Sequence, residues 1–307
     1  MPQDPHETDT GVSTATSRML WKPSGGVYVA LVAATVALAI MTWSSDTPGQ
    51  TPAAGPDRAP SEARSPAGKT TGPIERMTLE VIAVHAHDPQ AFTQGLLWHE
   101  GWLYESTGLY GQSTVRRVKP ETGVVVASRA TAPDLFGEGL VLVGENLYQL
   151  TWKAGILQVW DRETLELVDQ LGYRGEGWGL AYDGDQFIMS DGSAILRFRD
   201  VNNFQVVREI TVTRDGRTVR GLNELEWVDG RIWANILGRD ELIRIDPSSG
   251  GVDAYVDASG LLAPQIRRGV DVLNGIAWDA DTGTFWITGK FWPSMFQVRL
   301  VSAAATR

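Results

Sequence analysis

The sequence predicts an all-β chain, a five-bladed β-propeller preceded by one N-terminal transmembrane helix and a disordered linker. Three observations predict it: an uncharged apolar run near the N-terminus, a following stretch poor in large apolar residues, and five repeats of one strand-turn-strand layout. A length of 307 residues is enough to bury one large core, and all-β chains of this size count as one domain.

The first element is the apolar run. From Pro23 to Ser45 no residue is charged, and residues 25–43 read GGVYVALVAATVALAIMTW, about long enough to cross a hydrocarbon core as a helix. Arg18 and Lys22 lie just before it, and the next basic residue is Arg58. The positive-inside rule then expects residues 1–24 in the cytoplasm and everything after the helix outside it, in the periplasm if the cell is bacterial. A cleaved signal peptide has a shorter apolar region and a small-x-small cleavage site, which Met41-Thr42-Trp43 does not offer, so the reading favours an uncleaved anchor. Residues 44–73, rich in Pro, Ala, Gly and Ser, hold too few large apolar groups to offset their ordering entropy and read as a flexible spacer.

The second element is the repeat, which occupies residues 74–307. Segments beginning at Gln94, Glu138, Trp178, Asn223 and Asn274 share one layout, with an apolar strand, a short turn containing Gly or Asp-Gly, and a second apolar strand. Their spacings of 44, 40, 45 and 51 residues match the period of a four-stranded blade. A third-strand pattern follows the first four repeats but the chain ends soon after the fifth. The alternating segment from Met77 to Ala86 is the natural source of the missing strand, which would close a ring and remove its edges. An open sandwich accounts for neither the period nor this orphan strand.

Composition excludes several function classes. A net charge of −10 argues against nucleic acid, whose binding needs clustered Lys and Arg. With no cysteine there is no disulfide framework, thiolate metal site or thiol nucleophile. His85 and His87 form an H-x-H pair, but a metal site needs three or four ligands and only His6 and His99 remain, so no metal is expected. Hydrolase elbows, phosphate loops and dinucleotide fingerprints are absent from the sequence.

Aligning the repeats puts Gln94, Glu138, Trp178, Asn223 and Asn274 at one equivalent position on the innermost strands. Four of the five are polar, which points to side chains facing a wet cavity, although a hydrogen-bond ring that merely closes the fold fits Gln94 and Asn274 as well. Glu138 is the strongest candidate, because an acid near a channel is costly unless paired or used. Trp152 and Lys290 follow the second strand at matching offsets. Trp152 and Trp233 are open to two readings, site wall or ordinary core.

Phe92-Thr93-Gln94-Gly95-Leu96, Phe136-Gly137-Glu138-Gly139, Leu150-Thr151-Trp152-Lys153, Gly175-Glu176-Gly177-Trp178, Leu222-Asn223-Glu224 and Thr288-Gly289-Lys290 resemble the plant and bacterial glutaminyl-peptide cyclotransferases. The resemblance runs in order from about Thr78 to Val301. It implies conversion of an N-terminal glutamine to pyroglutamate with loss of ammonia. It also implies a site lined by Gln94, Glu138, Trp152, Trp178, Asn223, Trp233 and Lys290; Asn274 joins the expected substrate-binding residues from its equivalent position in the repeat. Where the family tends to carry an aromatic after Ala234-Asn235, this chain has Leu237.

The chemistry suits these residue types. One carboxyl, Glu138, takes the proton of the attacking amine and gives it to the departing nitrogen. Lys290 and Asn223 donate to the charge that builds on the γ-oxygen, and Gln94 orients the carboxamide. No metal or organic cofactor is required. The expected partners are peptides or proteins with N-terminal glutamine and, through the anchor, a membrane. Two other readings stay open: a non-catalytic peptide-binding propeller, and a metal-dependent lactonase-like propeller using Glu138, Asn223 and Asn274.

Overall fold

In the computed structural model, which describes residues 72–303, the alternating segment ahead of the repeats is β1 (Glu75–Ala86). Each repeat then forms a meander of antiparallel strands. The first is β2 (Thr93–His99), β3 (Trp102–Thr107), β4 (Thr114–Lys119) and β5 (Val124–Ala130). The second is β6 (Gly137–Val143), β7 (Asn146–Thr151), β8 (Ile156–Asp161) and β9 (Leu167–Gly172). The third is β10 (Leu180–Tyr182), β11 (Gln186–Met189), β12 (Ile195–Asp200) and β13 (Val206–Thr211), followed by a small hairpin of β14 (Thr213–Arg214) and β15 (Arg217–Thr218). The fourth is β16 (Leu222–Val228), β17 (Arg231–Ile236), β18 (Glu241–Ile245) and β19 (Val252–Asp257). After the four-residue helix α1 (Pro264–Arg267) come β20 (Leu273–Asp279), β21 (Thr284–Gly289) and β22 (Ser294–Ser302).

Local chemistry sets the turns. Between β16 and β17, Asp229 and Gly230 both have positive φ, at 50° and 75°, the conformation that a two-residue hairpin turn demands. Three of the third strands, β8, β12 and β18, end on or just before an aspartate that caps the next turn. Asp161 accepts from the backbone N–H groups of Glu163 and Thr164, Asp200 from Asn202 and Asn203, and Asp246 from Ser248 and Ser249. Apolar clusters then fill the space between neighbouring sheets, for example Leu196, Phe198 and Ile210 against Leu225, Ile232 and Ile243.

The first strands of the repeats, β2, β6, β10, β16 and β20, pack on one another in a ring, β2 lying between β6 and β20. Their approach is close. A Cβ at Gly139 would sit 2.5 Å from the backbone nitrogen of Leu180, and one at Gly179 would overlap the carbonyl oxygen of Asn223. Only glycine fits at these two positions. Register breaks fall in the same strands, between Thr93 and Gly95, Gly137 and Leu140, Leu222 and Leu225, and Leu273 and Ile276. Such bulges re-aim side chains, and here they carry Gln94, Glu138, Asn223 and Asn274.

The expected five-bladed propeller behind a transmembrane helix is corrected on two counts. The ladder does not divide into five separate blades. β1 pairs antiparallel with β22 from Met77↔Ser302 to Ala86↔Ser294, and its first residues also run parallel to β19, from Glu75↔Ala254 to Met77↔Val256. A twelve-residue strand reaches past its own sheet and satisfies the free edge of β19, so two repeats fuse into one eight-stranded sheet beside three four-stranded ones. The second count is the membrane anchor and the extracytoplasmic placement drawn from it. Among the described residues no helix is long and apolar enough to cross a membrane. The expected span, residues 25–43, and the spacer up to residue 71 lie outside the described residues.

Candidate active site

The bulged residues converge with the loops that follow the second strands on a cavity of about 190 Å³. Gln94, Glu138, Trp152, Trp178, Asn223 and Lys290 all line it, together with Phe92, Phe136 and Leu237. Glu138 is almost fully buried, at 4% exposure. The side-chain amide of Gln94 donates to Glu138 Oε1 at 3.1 Å. Burial pushes the Glu138 carboxyl well above the usual carboxylate range, the nearby charge of Glu176 adds to the rise, and Lys290 opposes it. Lys290 is buried in turn, with Nζ 4.6 Å from the centre of the Phe92 ring. Burial lowers its pKa, against the pull of Glu138 and Asp271.

Two tryptophans form the opposite wall, and one carboxylate oxygen fixes both. Glu176 Oε2 accepts from Trp152 Nε1 at 2.8 Å and from Trp178 Nε1 at 3.1 Å. The Trp178 ring lies over Gly192, where a Cβ would come within 2.6 Å of it. Phe136 meets Trp152 edge-on at 5.5 Å, and Lys153 Nζ sits 3.8 Å from the Trp152 ring centre. Asn223 is buried, and its backbone carbonyl accepts from Ser190 Oγ at 2.7 Å.

Two expected residues stand elsewhere. Asn274 is fully buried behind the wall, where its Nδ2 donates to the Thr93 carbonyl at 3.0 Å and lies 3.4 Å from Gln94 Oε1. It positions Gln94 without lining the cavity. Trp233 packs in a separate apolar cluster, edge-on to Phe285 at 5.5 Å. The reason is its place in the strand. Trp152 and Lys290 are the first residues beyond β7 and β21, whereas Trp233 lies inside β17. The residue just beyond β17 is Leu237, which does line the cavity. Counting from strand ends finds it.

Sequence reasoning missed Phe92 and Phe136, which line the cavity, and Glu176, which holds its two tryptophans. Glu176 stands two residues before Trp178 in a loop, and its presence within the quoted Gly175-Glu176-Gly177 motif was the available signal. The H-x-H pair is occupied within the fold. His87 Nδ1 lies 2.7 Å from the Trp292 carbonyl and Nε2 3.1 Å from Glu105 Oε1, while the His85 ring tilts on Trp286 at 4.8 Å. Among the described residues no group of three or more His, Asp or Glu is arranged to hold a metal ion.

The chain is similar in sequence and fold to known proteins. The profile of the glutamine cyclotransferase family matches residues 58–300. A glutaminyl-peptide cyclotransferase of Arabidopsis thaliana is 42% identical over 232 residues, which cover 74% of this chain and 72% of that protein. The crystal structure of the Myxococcus xanthus glutaminyl cyclase superposes with a TM-score of 0.71 at 37% identity, covering 76% of this chain and all of that one. With a family match across most of its length and a relative of that identity, the chain belongs to the glutamine cyclotransferase family.

Proposed function

We propose that the cavity folds the N-terminal glutamine of a peptide or protein onto itself, with Glu138 carrying a proton between its two nitrogens. The chain is a glutaminyl-peptide cyclotransferase, an enzyme that turns N-terminal glutamine into pyroglutamate and releases ammonia. The size of the cavity suits that substrate: drug-sized ligands need roughly 300–1,000 Å³, and about 190 Å³ fits a single residue at the end of a chain.

The observation that carries the mechanism is a buried carboxyl of raised pKa lining the cavity, hydrogen-bonded to Gln94. An α-amino group has a pKa of about 7.7–8.0, so near neutral pH only the neutral fraction of it is able to attack. Attack of that nitrogen on the γ-carbonyl carbon forms the ring bond and places negative charge on the carbonyl oxygen. Lys290 and Asn223 face this cavity as donors to that oxygen. Glu138 accepts the proton from the attacking nitrogen and passes it to the carboxamide nitrogen. The carbon–nitrogen bond then breaks and ammonia leaves. A carboxyl of raised pKa suits both steps, being a stronger base when ionised and a ready acid when protonated. Gln94, held by Asn274, orients the carboxamide, and the Trp152–Trp178 wall keeps the folded-back side chain in place and water out.

Every proton and charge in this scheme is assigned to a side chain, so no metal or organic cofactor is needed. A peptide beginning with glutamine, incubated with the enzyme, should lose the mass of one ammonia while its asparagine-initiated counterpart stays intact. Exhaustive chelation should leave the rate nearly unchanged. Loss of turnover on chelation without unfolding, restored by a divalent ion, contradicts the scheme.

A further inference from the structure

The residues just before Glu176, from Gly172 to Gly175, line a larger open cleft of about 890 Å³. It is lined by Tyr173, Arg174, Asp191, Arg197, Arg199 and Gln205 among others. Three arginines against one aspartate make it a positive spot on a chain of net charge −10.

The arginines are not equivalent. Arg197 is neutralised, by an ion pair with Asp191 and by Glu209 Oε1 at 2.9 Å from its Nε. Arg199 stands two residues along the same strand, β12, and therefore on the same face. It is 96% buried, having 4% exposure, yet among the described residues it makes no ion pair with a carboxylate. Its Nη1 donates to the Phe204 carbonyl at 2.8 Å, its Nε has no hydrogen-bond partner, and its guanidinium lies 4.8 Å and 5.6 Å from the ring centres of Phe204 and Tyr173. A guanidinium does not lose its proton in proteins, so the charge stays. A buried charge without a counter-charge is a standing penalty that an incoming anion removes. The adjoining Arg174 is exposed and adds a second positive group at the mouth.

The position of the cleft indicates which anion. Tyr173, Arg174 and Gly175 run directly into Glu176 and Trp178, and Asp191 runs into Gly192, on which the Trp178 ring lies. The chain that lines the cleft thus continues directly into the active-site wall. Trp178 lies five positions after Tyr173, a reach of at most about 17 Å. A peptide whose first residue fills the cavity spans that distance with roughly five more.

We propose that this cleft binds a carboxylate of the substrate peptide, an acidic side chain within about five residues of the N-terminal glutamine. The proposal rests on the cyclotransferase reading and gives the enzyme a substrate preference that the small cavity alone does not supply. Arg199 forms the inner charge–charge contact and Arg174 the outer one.

The test compares glutamine-initiated peptides that carry Glu or Gln at positions three, four and five. The acidic peptide should have a KM lower by roughly tenfold at one of these positions, the size of one charge-assisted hydrogen bond, with kcat unchanged. Arg199→Met should abolish the difference while leaving turnover of the neutral peptide intact, and Arg199→Lys should restore part of it. Because Arg199 is buried, the exposed Arg174→Gln provides a variant that does not depend on core packing, and it should reduce the preference. Rising salt should shrink it too. To separate the peptide's own carboxylate from a free anion, acetate is titrated against both peptides: it should raise KM for the acidic one alone. Equal KM values for acidic and neutral peptides at all three positions overturn the proposal, as does a preference that survives both Arg199→Met and Arg174→Gln. Turnover of the neutral peptide reports separately on the cyclotransferase reading.

Discussion

Glu176 holds both indoles of the cavity wall with a single oxygen and also sits close enough to Glu138 to raise its pKa. Glu176→Gln keeps a hydrogen-bond acceptor for the tryptophans but removes the negative charge. Ionising Glu138 then becomes easier, so its pKa falls, and the acid limb of the kcat–pH profile should move to lower pH. An unshifted limb would separate Glu176 from the electrostatics of the site. The same neighbourhood shows what was legible in single residues. Gln94, Glu138, Asn223 and Asn274 stood out because polar side chains recur where packing alone would select apolar ones. Phe92, Phe136 and Glu176 lie in loops, each two residues before the repeat position held by Gln94, Glu138 and Trp178, so the period marks them too but was followed only along the strands. Trp233 was misplaced because a tryptophan inside a strand and one just beyond a strand look alike until the strand end is known.

Among the elements, β1 has the largest consequence for its length. It pairs with β22 along almost its whole course and with β19 at its start, so both strands lose a partner if it is removed. Its alternation was readable in the sequence, and so was its use by the last repeat. Its second pairing was not, because the reach of a strand past its own sheet depends on twist and on which edge lies free. A chain that begins after His87 should fail to fold, showing neither a cooperative melt nor turnover. A cooperative transition near that of the intact protein would contradict the role given to β1. The hairpins were more legible: Asp229-Gly230 and the repeated aspartates at the ends of β8, β12 and β18 specify their turns by local chemistry.

For the whole molecule, buried ionisable groups set how stability varies with pH. Glu105 is fully buried, which alone would raise its pKa, but Arg116 and His87 outweigh burial and hold it well below the usual range. Its contribution is present above the unfolded value of about 4.3 and is lost as pH falls through the folded value. Burial works to lower the pKa of His87, yet Glu105 and the Trp292 carbonyl carry it above its ordinary value. That contribution is full below about 6.5 and is lost as pH rises through the folded value. Glu226 acts in the same direction on the alkaline side. Burial pushes it up to about 8, against a hydrogen bond from the Trp278 backbone N–H. Between about 4.3 and 8 the folded state therefore binds more protons at this site than the unfolded chain, and stability declines as pH rises. Thermal melts should show greatest stability in mildly acidic buffer and a decline toward pH 8. Glu226→Gln should flatten the alkaline side. A melting temperature that climbs steadily from pH 6 to 8 would contradict this account.

If one buried carboxyl moves the proton from the attacking nitrogen to the leaving one, the turnover of Glu138→Gln must show it. The substitution keeps the size of the side chain and its contact with Gln94 but cannot take up a proton. General acid–base groups contribute about 10²–10⁴-fold, so kcat on a glutamine-initiated peptide should fall by that order, with little change in KM and a melting temperature that shows the fold intact. A folded Glu138→Gln protein that releases ammonia at close to the wild-type rate would contradict the mechanism.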